Sequence, residues 1–134
     1  MDTDIYSLTS KQAQDMNESK DCSVRAVSIA CNIPYPDSHT TFHMFGRKPC
    51  KGTPRTVTDA VLDFLADIGD IQYWKPLQVP DGLTVRSIAT DPQFNKGRYI
   101  VIISRHMLAM IDGVVHDWTA NKLHRVKEIY KVVI

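Results

Sequence analysis

A thiol, an imidazole and a carboxylate occur in this chain in the order Cys22, His106 and Asp117, and their settings suit one chemistry. A cysteine attacks as its thiolate, which a helix start and a neighbouring imidazole both favour. Cys22 opens a segment that reads as a helix to Cys31, with Asp21 or Ser19 as its cap and Ala26, Val27, Ile29 and Ala30 as apolar content. A nucleophile, a general base and an orienting acid in that combination perform acyl transfer.

The base and the acid can be placed by counting. Asp112-Gly113 is a strong signal for a two-residue hairpin turn. In that register Ile111 faces Val114, Leu108 faces Asp117 and His106 faces Thr119. Side chains alternate along a strand, so His106, Leu108, Val115, Asp117 and Thr119 share a face, and Asp117 becomes the diagonal neighbour of His106. His116 and Trp118 point the other way, which makes Trp118 a core residue on this reading. A slip of one residue would exchange the roles of the two faces.

Other reactive residues receive plainer readings. Cys31 is core filler, and Cys50 is an exposed bystander thiol between Lys48 and Lys51. His39 and His43 stand at i and i+4, but Cys50 is the one further ligand nearby, so no metal is expected. No cofactor is expected either. His124 reads as a surface residue, and Arg47, Lys48, Lys51 and Arg55 as a solvated basic loop. Trp74 could line a pocket.

The elements that must carry these side chains change character along the chain. A short helix is expected from Lys11 to about Asn17, with Thr9 and Gln12 spaced as a capping box. After the Cys22 helix, Ile33-Pro34-Tyr35-Pro36 breaks the chain, and another helix runs from Asp37 to Phe45, stopping at Gly46. Thr56 should cap a longer amphipathic helix whose inner face is Val57, Ala60, Val61, Phe64, Leu65 and Ile68, ended by Gly69. Ile71, Tyr73 and Lys75 suggest a strand, and Thr84 a brief helix through Ala89. Tyr99 to Ile103 reads as a buried strand continuing through His106 to Ile111, with a return strand over Val114 to Trp118 and a closing one over Ile129 to Ile134. Helices first and an antiparallel sheet after them make an α+β fold.

The chain of 134 residues reads as a single domain over 1–134, ordinary in composition at 43% apolar and 23% charged. Its net charge of +1 gives no long-range field toward nucleic acid or an anionic membrane. No apolar run approaches the roughly 20 residues of a membrane span, and Met1 to Lys20 lacks a secretory apolar stretch. Three cysteines without a Cys-x-x-Cys pair suit reduced thiols, so a cytoplasmic location is expected.

The motifs around the reactive residues resemble a family. Asp21-Cys22-Ser23-Val24-Arg25-Ala26 is similar to the helix-start element of small papain-like cysteine-peptidase-fold proteins common in bacteriophage genomes. Gly97-Arg98-Tyr99-Ile100-Val101 leading to His106, and Ile111-Asp112-Gly113-Val114-Val115 leading to Asp117, are similar too. Gly46-Arg47-Lys48, Gly52-Thr53 and the helix after them add to the likeness, which covers roughly Asn17 to Trp118. The resemblance implies a papain-like fold with Cys22 as nucleophile, His106 as base and Asp117 as acid. It also implies an oxyanion-hole side chain upstream of the nucleophile, for which Asn17 is the candidate.

On that basis the expected function is a cysteine hydrolase, a peptidase, isopeptidase or amidase working through a thioester. It would act on a protein or peptide substrate in the cytoplasm, that of the host cell for a phage-encoded chain. One alternative is a catalytically silent protein of the same fold that binds and modulates a host protein. Another is a glutamine deamidase or transglutaminase using the same three residues.

Overall fold

The computed structural model describes residues 5–134. Five helices, α1 (Ile5–Asp15), α2 (Cys22–Ala30), α3 (Tyr35–Met44), α4 (Arg55–Asp67) and the single-turn α5 (Val85–Ile88), accompany five strands. The strands are β1 (Tyr73–Leu77), β2 (Arg98–Ile103), β3 (His106–Ile111), β4 (Val114–His116) and β5 (Glu128–Val133). They form one sheet in the order β1-β5-β2-β3-β4 with every pair antiparallel, so the fold is α+β. No described helix is long and apolar enough to cross a membrane.

The sheet is buried on both faces, which explains why its central strands read as continuous apolar runs. Ile100, Met107, Ala109, Tyr130 and Val132 turn toward α2, α3 and α4, joining Val24, Val27, Phe42, Leu62 and Leu65 in one core. Tyr99, Val101, Ile103, Leu108, Met110 and Ile129 turn the other way, against Leu83, Val85, Ile88, Phe94 and Val126. The α5 turn belongs to this second core, and Thr84 caps it through a reciprocal capping box with Ser87.

Helix α2 lies almost wholly inside, with Val24, Val27 and Ala30 fully buried. Both ends are tied to other elements. Arg98 of β2 donates to the Ile29 and Ala30 carbonyls at 3.2 and 3.3 Å, placing a cation at the negative end of the helix dipole. Asp21 stands at the N-cap, but its side chain makes no capping bond and instead accepts from the Tyr35 hydroxyl at 2.7 Å.

Several expectations are corrected. α1 starts by Ile5 and ends at Asp15, and Thr9 is interior to it, its hydroxyl donating back to the Tyr6 carbonyl rather than forming a capping box. Arg25 of α2 explains the shift: it bonds Thr9, Ser10 and the Tyr6 carbonyl and lies over the Tyr6 ring, anchoring the first turns of α1. α3 begins at Tyr35, two residues early, and α4 begins at Arg55 after Pro54 with no side-chain cap. On α4, Val61 and Leu65 are buried as expected and Val57 and Phe64 pack partly against the same core; Thr58 and Leu62 join the buried face, and Ile68 is exposed. Beside that face Asp59 accepts from Tyr130 and Asp63 from Trp74, which therefore packs on the helix.

The largest correction concerns the expected long strand. Ser104 and Arg105 break it into the hairpin β2–β3, pairing Ile103 with His106, and Arg105 adopts φ +57°. The basic loop is not simply solvated either. Arg47 is 4% exposed and holds Glu18 through two bonds of 2.9 and 3.1 Å.

Candidate active site

Cys22, His106 and Asp117 come together at one cleft of about 920 Å³. Cys22 reaches it as the first residue of α2, half-buried, with the amide groups of the opening helical turn behind it. The loop before it is held from below. Arg47 donates to the Ser19 and Lys20 carbonyls as well as to Glu18, and Glu18 also accepts from the Cys50 amide at 2.8 Å and meets His39 Nε2 at 2.6 Å. Ser23 donates to Thr53 at 2.7 Å, fastening the following loop to the helix start. His39 thus faces the Glu18 carboxylate, and among the described residues no group of three or more His, Cys, Asp or Glu side chains could hold a metal.

His106 arrives from the opposite wall as the first residue of β3. By alternation it belongs with Leu108 and Met110, on the face away from α2. It borders the cleft that Cys22 lines nonetheless, because β4 pairs only with Ala109, Met110 and Ile111. The outer edge of β3 from His106 to Leu108 therefore borders the cleft rather than another strand. The hairpin register is as counted at Ile111 and Val114, but the ladder ends at Ala109 and His116, before the expected Leu108–Asp117 pair.

Asp117 lies one residue past β4, and its Oδ2 lies 2.8 Å from His106 Nε2. The same oxygen accepts the Thr119 hydroxyl at 2.6 Å and the Thr119 amide at 3.2 Å. With Nε2 engaged, Nδ1 is the ring nitrogen left for Cys22, which lines the same cleft. Burial of His106 opposes its charging, but the bond to Asp117 and the nearness of Cys22 outweigh it and push its pKa up to about 9. An imidazolium is thus the resting form near neutral pH.

Asn17 does not join them. It is exposed at φ +55°, its carbonyl accepts from the Cys50 thiol, and it is not among the residues lining the cleft. Cys31 is buried in the core, where burial raises its thiol to about 12, and Cys50 is exposed. Trp118 departs from its expected core position: it is 53% exposed, its ring 5.3 Å from His106 and 5.6 Å from His124. The chain leaves the strand after His116, so alternation no longer governs where Trp118 points. Sequence reasoning also passed over Lys20, Tyr6 and Arg105 as cleft residues, and no spacing rule marks them.

No family model, curated protein or solved structure matches the chain.

Proposed function

We propose that this protein is a papain-like cysteine hydrolase, cleaving a peptide, isopeptide or other amide bond through a thioester on Cys22. The observation that carries this reading is that Cys22, His106 and Asp117 line one cleft, with His106 Nε2 2.8 Å from Asp117 Oδ2. A nucleophile at a helix start, facing a base and an acid on an antiparallel sheet, also supports the papain-like fold. With the resemblance of its motifs to small phage proteins, it favours action in a host cytoplasm.

The reaction is acyl transfer to the Cys22 sulfur. The Cys22 thiolate adds to the amide carbonyl, and negative charge moves to the carbonyl oxygen, which the Cys22 and Ser23 amides at the start of α2 stabilise. The C–N bond breaks as the His106 imidazolium gives its proton to the leaving nitrogen, leaving a thioester and a neutral imidazole. His106 then takes a proton from water, whose oxygen attacks the thioester carbonyl. Collapse of that second adduct expels the thiolate, and His106 is an imidazolium again. Asp117 keeps the ring oriented throughout and favours its charged form.

Thiol labelling tests this directly. At pH 7, iodoacetamide should alkylate Cys22 at least tenfold faster than exposed Cys50, and His106→Ala should abolish the difference. Equal rates at the two cysteines in the unaltered protein would sink the activated-nucleophile reading.

A further inference from the structure

Two cations beside the reactive pair have no use in the mechanism. Lys20 stands two residues before Cys22, and Arg105 stands immediately before His106; both are exposed and both line the cleft. Among the described residues neither forms an ion pair or a side-chain hydrogen bond. The other basic residues of the lining are committed, Arg25 to α1 and Arg55 to Glu128. Both carboxylates of the lining are committed too. Asp21 is buried under the Tyr35 hydroxyl, and Asp117 carries three donors on one oxygen. The cleft therefore presents positive charge on the nucleophile's wall and on the base's wall, with no free carboxylate among the described lining residues to neutralise it.

The backbone fixes where these charges sit. Lys20 and Arg105 have φ +54° and +57°, a region that L side chains adopt at a cost and that occurs preferentially at functional sites. The carbonyl of Lys20 is held by Arg47, and Arg105 occupies the tight link between two paired strands. Each charge is thus carried on a constrained turn.

We infer that the substrate is a polypeptide with an acidic side chain next to the scissile amide, recognised by Lys20 and Arg105. This rests on the hydrolase reading and adds the substrate's chemistry to it. A polypeptide fits better than a small acid because the cleft encloses about 920 Å³. A single carboxylate would fill little of it.

The preference can be read without knowing the natural substrate. Tripeptide acyloxymethyl ketones carrying Glu, Gln or Lys beside the ketone are compared as covalent labels of Cys22, alongside iodoacetate and iodoacetamide. The Glu peptide should react about five- to tenfold faster than the Gln peptide at low ionic strength, the Lys peptide slowest, with the spread shrinking in salt. The double variant Lys20→Asn, Arg105→Asn should remove the spread; asparagine tolerates left-handed backbone, so the turns are kept. Equal rates for the three peptides, or a spread unchanged in the double variant, would overturn the inference while leaving the hydrolase reading intact. A preference shown by iodoacetate alone would overturn the polypeptide and point to a small carboxylate. Conversely, if the charge preference holds but Cys22 labels no faster than Cys50 and ignores His106→Ala, the hydrolase reading fails by itself.

Discussion

Asp117 concentrates three donors on one oxygen, and that concentration is what ties the chemistry of His106 to this position. A carboxylate fixed by Thr119 cannot swing away, so the imidazole keeps Nε2 on the acid and Nδ1 toward sulfur. Replacing Asp117 with asparagine keeps the shape and removes the charge. The His106 pKa should then fall from about 9 toward the ordinary 6.5, which a histidine-resolved NMR titration measures directly. Because turnover needs the imidazolium to protonate the leaving nitrogen, the basic limb of a pH–rate profile should move down with it. A titration left near 9 in Asp117→Asn would show that Cys22, rather than Asp117, maintains the charge. The pairing of these two residues was legible in the sequence because a well-marked hairpin brings their segments together, although Asp117 lies past the ladder rather than opposite Leu108. The oxyanion candidate Asn17 was not, since its exposure follows from the Glu18–Arg47 and Asn17–Cys50 contacts, made 29 and 33 residues along the chain.

Two hairpins place the site, and they differ in how plainly they are written. Asp112-Gly113 takes φ +49° and +80°, a pair of left-handed values that aspartate and glycine supply, so the turn could be read and its register counted. Asp112 also accepts from the Gly97 amide at 2.7 Å and donates its own amide to the Gly97 carbonyl, locking the turn to the start of β2. Ser104-Arg105 carries no such residues, and its left-handed arginine is imposed by the pairing on either side; this is why two strands looked like one. On α4 periodicity finds most of the apolar stripe but not the polar bonds beside it, Asp59 to Tyr130 and Asp63 to Trp74. The readable turn gives a sharp test. A Cβ at Gly113 would come within 2.8 Å of the Ala89 carbonyl oxygen besides facing an unfavourable φ. Gly113→Ala should cost about 1–3 kcal/mol in urea unfolding and slow Cys22 labelling, since β4 delivers Asp117 to His106. Unchanged labelling in a folded Gly113→Ala protein would show that the hairpin does not position the acid.

At the scale of the whole molecule, Glu18 and His106 have shifted titrations that fall between about pH 2 and 9. Glu18 is buried beside the nucleophile's loop, and burial opposes its charge. The bonds from Arg47, the Cys50 amide and His39 prevail, lowering its pKa from 4.5 to about 2. A lowered carboxylate contributes stability above its unfolded value and loses it as pH falls through the folded one, here between about 4.5 and 2. The shift corresponds to about 3 kcal/mol. His106 acts in the opposite sense. Its raised value makes its contribution complete below 6.5 and lost as pH rises through about 9. Stability should therefore be greatest between about pH 4.5 and 6.5, falling on the acid side through Glu18 and on the alkaline side through His106. Urea midpoints measured from pH 2 to 10 would trace both arms. Glu18→Gln should flatten the acid arm and lower the plateau by about 3–5 kcal/mol, because it leaves the Arg47 guanidinium buried without its counter-charge. His106→Ala should flatten the alkaline arm and leave the acid arm in place. An acid arm that persists undiminished in Glu18→Gln would mean that other carboxylates hold the fold together at low pH, and that the loop before Cys22 is not anchored by this pair.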